Sequence, residues 1–220
     1  MKPILFNTEM VRAILEGRKT VTRRVVKLPS YVQRQPDGLF TLFAEGTCYE
    51  GCELEEMQNY LKMPFEVNDV LYVRETWYKG LNRILYKANY SDTEKFYENG
   101  KEILVKWKPS IHMPKEAARI FLRVTEVRLE RLHDMSTKED FKKEGIYDDG
   151  TYPTDRSVKI HPMAQGGWTL GAYRERFEMI WNSTIKCDQL NTYGWDANPY
   201  VWVIEFERIT KEQPEMQEGE

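Results

Sequence analysis

Residues 17–24 read GRKTVTRR, and this octapeptide determines how the first helix of the chain meets its sheet. Apolar residues at helical spacing precede it, Thr8 is expected to cap that helix, and Gly17 suits the position just beyond its end. From position 20 onward the side chains alternate as in a strand, which puts Thr22 and Arg23 on opposite faces. The octapeptide is therefore predicted to be a helix end that runs into a strand.

Further strands and helices follow from the hydrophobic pattern. Runs of β-branched and aromatic residues between turn signals predict strands at 69–78, 84–88, 103–107, 119–128 and 200–209. The capping-box spacing Ser136-x-x-Glu139 predicts a helix at 136–144, and an aromatic stripe predicts another at 170–182. Few helices and six or more strands favour an α+β domain built round a curled or closed sheet.

A single domain is expected from residue 1 to 210, because the first and last strands both need partners. Within it, 28–66 is interpreted as an insertion or long connection. Residues 146–169, rich in Gly, Asp, Pro and Thr, are expected to form a mobile loop. Residues 211–220 contain four glutamates and are expected to be an acidic, disordered tail.

The composition limits the class of partner. The chain has 220 residues, 41% of them hydrophobic, which is enough for a sizeable core, and its net charge is −3. A global basic field that grips long duplex DNA is therefore not expected. Any contact with nucleic acid must be local or must involve a small piece such as a nucleotide.

Targeting signals and cysteine usage bear on the compartment. No apolar run approaches the ~20 residues that cross a bilayer, and the N-terminal MKPILFNTEM does not have the pattern of a signal peptide. We therefore expect no membrane contact. Three cysteines, an odd number, argue against a disulfide framework and favour the cytoplasm.

Lys19 is the first candidate for chemistry, since Arg18, Arg23 and Arg24 are its neighbours in the sequence. Like charges and burial both lower the pKa of a lysine, because each penalises the ammonium form. A lysine that is half neutral at pH 7 needs about 4–5 kcal/mol of such interactions, and its amine can then act as a nucleophile or base. The alternative is a charged amine that contacts phosphate or a surface carboxylate.

Three other charged residues have two interpretations each. Glu144 closes a predicted helix, where it either lies at the surface without a role or transfers a proton. Arg74 and Glu75 lie inside an otherwise apolar strand, where they either pair across the sheet or line a pocket.

The loop WKPSIHMP at 107–114 is bounded by prolines and offers groups that could bind a base. Trp107 could stack on it, and Ser110 and His112 could form hydrogen bonds with it. A lone histidine is nonetheless more often satisfied within the fold.

A zinc site could in principle form from Cys48, Cys52, Cys187 and one histidine, which would be His112, His133 or His161. The cysteine spacing is loose and the fourth ligand is undefined. We therefore expect no metal and no other cofactor.

The motifs together resemble a known family. Gly17–Arg24 is similar to the GxKxxTxR signature of the ASCH domain, a branch of the PUA-like superfamily, and NDVLYVRETW at 68–77 resembles the family's GD-x-L-x-V-R-E-T strand, with Asn68 in place of glycine. Three further pieces are similar to the larger, phage- and prophage-associated members: WKPSIHMP, DFKKEGI at 140–146 and NPYVWVIEFERI at 198–209. These five pieces span most of residues 3–209 outside 28–66 and 146–169.

The resemblance implies a small β-barrel flanked by helices, with a cleft at the helix-to-strand turn that holds Lys19. Related PUA-like domains bind RNA or modified bases, and some small ASCH proteins are amidohydrolases that remove the acetyl group from N4-acetylcytidine nucleosides. The catalytic set implied here is Lys19, Thr22 and Glu144. Lys19 would attack the amide carbonyl or activate water, Glu144 would pass a proton to the departing amine, and Thr22 would orient the amide.

Three functions remain open on the sequence. The first is recognition of RNA or of a modified nucleotide or nucleoside in a basic cleft around Lys19. The second is removal of an acyl group from an N4-acylated cytidine-type nucleoside, and the third is a phage-derived interaction protein without catalytic activity. Residues expected to contact the ligand are Arg23, Arg24, Arg74, Glu75, Trp77, Trp107, Ser110 and His112. The oligomeric state is left open.

Overall fold

The computed structural model describes residues 1–35, 39–44, 46–54, 56, 60–80, 83–148 and 168–210. The strands are β1 (Lys2–Leu5), β2 (Val21–Val25), β3 (Val32–Arg34), β4 (Phe40–Ala44), β5 (Thr47–Cys52), β6 (Val70–Arg74), β7 (Trp77–Lys79), β8 (Ile84–Tyr86), β9 (Phe96–Glu98), β10 (Lys101–Ile103), β11 (Phe121–Arg131) and β12 (Tyr200–Ile209). The α-helices are α1 (Thr8–Leu15), α2 (Lys138–Lys143), α3 (Leu170–Thr184) and α4 (Leu190–Tyr193).

A five-stranded sheet in the order β1-β6-β11-β12-β2 forms the centre of the molecule. β1 runs parallel to β6, and the other neighbouring strands are antiparallel. The α+β class predicted from the sequence is confirmed. β1 and β2 are the two edges of this sheet, so that the strands of the described residues do not close into a barrel.

Both faces of the central sheet are covered by apolar side chains. Along β12, Trp202 and Ile204 belong to one hydrophobic cluster, and the alternate residues Val201 and Val203 belong to a second. Because successive side chains of a strand point to opposite faces, the two clusters lie on opposite sides of the sheet. The second cluster includes aromatic residues of α3, which holds that helix against the sheet.

The segment 28–66 carries a sheet of its own, in the order β3-β4-β5. Val32, Phe40 and Leu42 from this sheet are buried in the same cluster as Leu71 of β6. The segment is thus packed onto the core of the central sheet. The pairs β7-β8 and β9-β10 form two further small antiparallel sheets.

Two helix caps lie one residue away from the predicted positions. The side chain of Asn7, and not of Thr8, accepts a hydrogen bond from the Met10 backbone N–H at 2.8 Å. In α2, Thr137 and Asp140 form the capping box that was predicted for Ser136 and Glu139. In each case a neighbouring residue has equal capping ability, and the tertiary position of the helix selects between them.

The strand boundaries agree with the predictions to different degrees. The last strand has the predicted bounds, whereas β11 begins at Phe121 and continues to Arg131. The strand predicted at 103–107 ends at Ile103. Most of the predicted mobile loop, 149–167, and the whole of the predicted tail, 211–220, lie outside the described residues. No helix within the described ranges has both the length and the apolar character needed to cross a membrane.

Candidate functional site

The helix-to-strand turn places Lys19 ahead of β2. Gly17 adopts a φ of 75°, the left-handed conformation predicted for the residue after the helix. Lys19 then forms an isolated antiparallel bridge with Glu144, and the Thr20 N–H donates to the carbonyl oxygen of Lys143 at 2.9 Å. The prediction that Lys19 lies in the turn before the strand is confirmed.

Gly145 allows this close approach of the two segments. Its φ is +90°, and a Cβ atom at this position would lie 2.9 Å from the Cβ of Ala13 and 3.2 Å from the Cβ of Lys19. Both the backbone conformation and the available space therefore favour glycine after Glu144.

The Lys19 amine is buried against the Glu144 carboxylate. Its Nζ donates to Glu144 Oε2 at 2.6 Å, to the Glu144 carbonyl oxygen at 2.9 Å and to the Val21 carbonyl oxygen at 2.7 Å. The side chains of Lys19 and Glu144 are 0% and 4% exposed. All three hydrogen-bond donors of an ammonium group thus have acceptors inside the protein.

Arg23 holds the other oxygen of the same carboxylate. Its Nη1 donates to Glu144 Oε1 at 2.9 Å, and its Nη2 reaches Glu130 Oε2 at 3.4 Å. The Arg23 side chain is 4% exposed. Glu144 therefore lies between two buried cations, one on each carboxylate oxygen.

Burial lowers the pKa of the Lys19 amine. The Glu144 carboxylate acts in the opposite direction, and the nearby positive charges of Arg24 and Arg23 contribute to the lowering. The direction predicted from the sequence is confirmed, but desolvation is the largest cause, ahead of the neighbouring cations.

A cleft of about 150 Å³ lies between α1, the segment 144–147 and α3. Glu144 belongs to its wall, whereas Lys19 is not among the described residues that line it. Glu144 is therefore the residue that the buried pair and the described wall of the cleft have in common.

The charges in the cleft are balanced, in contrast to the basic cleft expected from the sequence. The charged residues of its described lining are Arg12, Arg18 and Arg176 together with Glu9, Glu16 and Glu144. Arg18 and Arg176 donate to two of these glutamates, and Arg12 donates to two backbone carbonyl groups. These contacts occupy the guanidinium groups with partners from the protein itself.

Arg18 and Tyr147 form a flat surface at the cleft. The guanidinium carbon of Arg18 lies 3.9 Å from the centre of the Tyr147 ring. Arg18 is oriented by Glu16 and by the Gly145 carbonyl oxygen, which it reaches at 2.7 and 3.0 Å. Tyr147 is 47% exposed, so that a planar ligand could stack beside it. Tyr147 was not among the residues indicated by the sequence pattern.

Thr22 and Arg24 also lie on β2. Thr22 is buried and is opposite Ile204 of β12. Arg24 donates to the Leu5 carbonyl oxygen at 2.9 Å, and its guanidinium carbon lies 5.4 Å from the ring centre of Phe6. Lys19 Nζ lies 5.8 Å from the same ring, which makes Phe6 a shared neighbour that the sequence did not indicate.

The remaining predicted ligand residues lie in a second region, around the WKPSIHMP loop. Glu75 is buried and receives two hydrogen bonds from Arg119, at 2.8 and 2.9 Å. Arg74 donates to the carbonyl oxygens of Ile111 and Met113. Glu75 is thus paired with a charged residue outside the strands, and Arg74 binds backbone carbonyl groups, so that neither forms the ion pair across the sheet that was one interpretation.

The rings of this second region are divided between buried and exposed positions. Trp77 is buried and its backbone pairs with Lys108, whereas Trp107 packs against Phe96 at a centroid distance of 5.7 Å. Ser110 and His112 lie in a short 3-10 turn, and His112 is exposed. The described lining of the α1–α3 cleft includes none of the predicted ligand residues of this region.

The zinc hypothesis finds no cluster among the described residues. No three His, Cys, Asp or Glu side chains there are grouped as metal ligands would be. The three cysteines form no disulfide, and His161 lies outside the described residues.

Comparisons with protein-family models, with curated proteins and with solved structures gave no match. The site must therefore be interpreted from its own chemistry.

Proposed function

We propose that the chain is an ASCH-type protein of PUA-like fold that hydrolyses an amide on a small nucleoside-type compound. The compound class is an N4-acylated cytidine-type nucleoside bound in the α1–α3 cleft. One observation carries the proposal: Glu144 lines the cleft and at the same time accepts a hydrogen bond from the buried Lys19 amine at 2.6 Å.

The pair can supply a base and an acid. Transfer of a proton from Lys19 Nζ to the Glu144 carboxylate gives a neutral amine and a carboxylic acid, and burial favours this neutral form. The neutral amine takes a proton from water, and the resulting hydroxide attacks the amide carbonyl carbon. The carboxylic acid then donates its proton to the departing amine nitrogen as the C–N bond breaks.

Water is the more suitable nucleophile in this site. Direct attack by Lys19 needs the carbonyl carbon within bonding distance of Nζ, yet Lys19 is not among the described lining residues of the cleft. A water molecule needs far less space than an acylated base. Thr22 is buried in β2 and is not among the described lining residues of the cleft, so that we assign it no contact with the amide, in contrast to the role that the resemblance implies.

The charge balance of the cleft favours a small neutral ligand over RNA. Tight binding of RNA depends on several cations that are available to phosphates. Here Arg18 and Arg176 are paired with glutamates, and Arg23 is buried between two carboxylates. The Arg18–Tyr147 surface remains suited to stacking with a base.

Recognition of a nucleotide or nucleoside without catalysis is the second candidate. It is favoured by the three hydrogen bonds of Lys19 Nζ, which satisfy a charged ammonium as in a purely structural ion pair. In that case the Arg18–Tyr147 surface binds the ligand and the buried pair only supports the turn.

Turnover of acylated nucleosides decides between the two. N4-acetylcytidine and related N-acyl nucleosides are incubated with the wild type and with Lys19→Met and Glu144→Gln. Lys143→Met, an exposed neighbour on α2, is the matched control, and thermal unfolding shows which variants are folded. Hydrolysis by the wild type and the control, and its loss in both folded variants, supports the enzyme.

Two results contradict the enzyme. Full turnover in folded Lys19→Met would remove Lys19 from the mechanism. No turnover by the wild type, together with ligand-induced stabilisation that Tyr147→Ala weakens, would leave recognition as the function.

A further inference from the structure

The position of Arg23 differs from that expected of an arginine that binds a ligand. It lies on β2, its two terminal nitrogens are directed at carboxylates of the protein, and it is not among the described residues lining the cleft. Its Nε is buried and has no hydrogen-bond partner among the described residues. The two hydrogen bonds given for its guanidinium group both go to carboxylates of the protein. This indicates that Arg23 interacts with these carboxylates and not with a ligand.

The two carboxylates come from distant elements. Glu144 ends α2, and Glu130 lies on β11, separated from Arg23 by β12. Glu130 also receives a hydrogen bond from Arg128 Nε, and Arg128 Nη1 donates to Glu205 at 2.7 Å. A chain of alternating charges therefore leads from the buried pair to partly exposed residues of the sheet: Lys19, Glu144, Arg23, Glu130, Arg128 and Glu205.

This chain determines the orientation of the Glu144 carboxylate. Lys19 holds Oε2 and Arg23 holds Oε1, so that the plane of the carboxylate is defined by two contacts. Without Arg23, the carboxylate could rotate about its last bond and change its contact with Lys19. Glu130 in turn opposes rotation of the guanidinium, because it holds the second terminal nitrogen.

We infer that Arg23 is a positioning residue for the proposed hydrolysis, in place of the ligand contact expected from the sequence. It holds the Glu144 carboxylate in the orientation in which it bonds to Lys19, and Glu130 anchors Arg23. The inference rests on the proposed function for its kinetic consequence, but the contact between Arg23 and the buried pair has a readout that needs no substrate.

That readout is the titration of the Lys19 amine, followed by NMR of ¹⁵N-labelled lysine Nζ. The charged groups that face this amine are Glu144 from the end of α2 and Arg23 and Arg24 from β2. The positive charge of Arg23 disfavours the ammonium form of Lys19. When Arg23 is removed, the Glu144 carboxylate no longer divides its interaction between Arg23 and Lys19. In Arg23→Met the midpoint of the Lys19 titration is therefore expected to rise.

The kinetic test uses three variants and a charge-matched control. In Arg23→Met, kcat is expected to fall by about 10²-fold, the order of loss for a misplaced catalytic group, with KM unchanged. Arg23→Lys restores the charge but not both contacts, so that its kcat and Lys19 midpoint lie between those of the wild type and Arg23→Met. Glu130→Gln lowers kcat less than Arg23→Met. Arg34→Met, which removes an exposed arginine of β3, leaves both readouts unchanged.

The outcomes separate this inference from the proposed function. No hydrolysis by the wild type contradicts the proposed function, and the Lys19 titration then still tests Arg23. An unchanged Lys19 midpoint in folded Arg23→Met overturns the inference, as does a raised KM with unchanged kcat, which would make Arg23 a ligand contact. If Arg23→Met does not fold, the other two variants test the inference. It is overturned if Arg23→Lys and Glu130→Gln both have the kcat and the Lys19 titration midpoint of the wild type.

Discussion

Two buried glutamates of this protein are bonded in different ways. Glu75 receives both of its strong contacts from a single arginine, Arg119, in a bidentate pair. Arg119 also lies over the Tyr86 ring at 4.0 Å. Glu144 divides its oxygens between Lys19 and Arg23 and belongs to the wall of a cleft.

The difference lies in the cation that each glutamate contacts. Glu75 is paired with an arginine, whereas Glu144 is bonded to a lysine, the type of cation that can release a proton. An arginine does not lose its proton in a protein, so that Arg119 has no proton to exchange with Glu75. A buried lysine can become neutral, and burial lowers the pKa of Lys19 in that direction. Of the two segments, one thus contains a carboxylate paired with an arginine, and the other contains a carboxylate paired with a buried lysine whose pKa is lowered.

The largest expected effect is on turnover. Glu144→Gln removes the proposed acid and should lower the rate of acyl-nucleoside hydrolysis by about 10²–10⁴-fold. Glu75→Gln changes the same group in the other buried pair and should leave the rate per folded molecule unchanged. Parallel rate measurements test this, and equal losses in the two variants would show that the comparison is wrong.

The next effect is on stability at the turn. Gly145→Ala should cost about 3 kcal/mol, since a positive φ of 90° and a close contact with Ala13 both oppose the new methyl group. Gly100→Ala has a similar positive φ, 75°, with no atom within 4 Å of the new Cβ atom, and should cost about 1 kcal/mol. Urea unfolding of both variants measures the difference, and equal losses would mean that the close approach to Lys19 is unimportant.

A smaller loss of stability is expected at the second glutamate. Glu75→Gln keeps the shape of the side chain, but its amide nitrogen cannot accept from Arg119, so that one hydrogen bond is lost and the other is weakened, which should cost about 2 kcal/mol. Arg119 is 24% exposed, and water can partly replace the lost contacts. Thermal or urea unfolding tests this, with Lys95→Met, from an exposed ion pair, as a control that should change stability by less than about 1 kcal/mol.

The smallest effect is the dependence of stability on pH that Lys19 contributes. Because the pKa of folded Lys19 is below its ordinary value of 10.5, the unfolded chain binds more protons between the two values. The free energy of unfolding of the wild type, relative to Lys19→Met, should therefore rise as the pH increases towards 10.5. Unfolding curves from neutral to alkaline pH measure it, and a flat or falling difference would mean that folded Lys19 is an ordinary ammonium.

The elements that were predicted well depend on local patterns. Residues 200–209 are rich in β-branched and aromatic residues, and the strand predicted from them has the bounds of β12. The turn at Gly17 follows from a residue that tolerates a positive φ. β1 and the small sheet of residues 32–52 were not predicted, because short strands are defined by their partners more than by their own sequence.

The candidate site was predicted in part. The octapeptide and the family resemblance together gave Lys19, Thr22 and Glu144, but Arg23 was expected at the ligand and lies between two carboxylates. Glu130 and Phe6 carried no signal, since nothing in their neighbourhoods along the chain distinguishes them. Their roles depend on which strands are adjacent in the sheet.

The sequence by itself determined the α+β class, the helix-to-strand turn and the cluster of cations around Lys19, since these depend on residues that are close along the chain. The family resemblance named Glu144 together with Lys19, but only the tertiary structure decided that the two are in contact, because they are 125 residues apart. It also decided that the amine is desolvated and that the cleft is balanced in charge. Burial and charge pairing are properties of packed surfaces, and they exist only after the distant segments have come together.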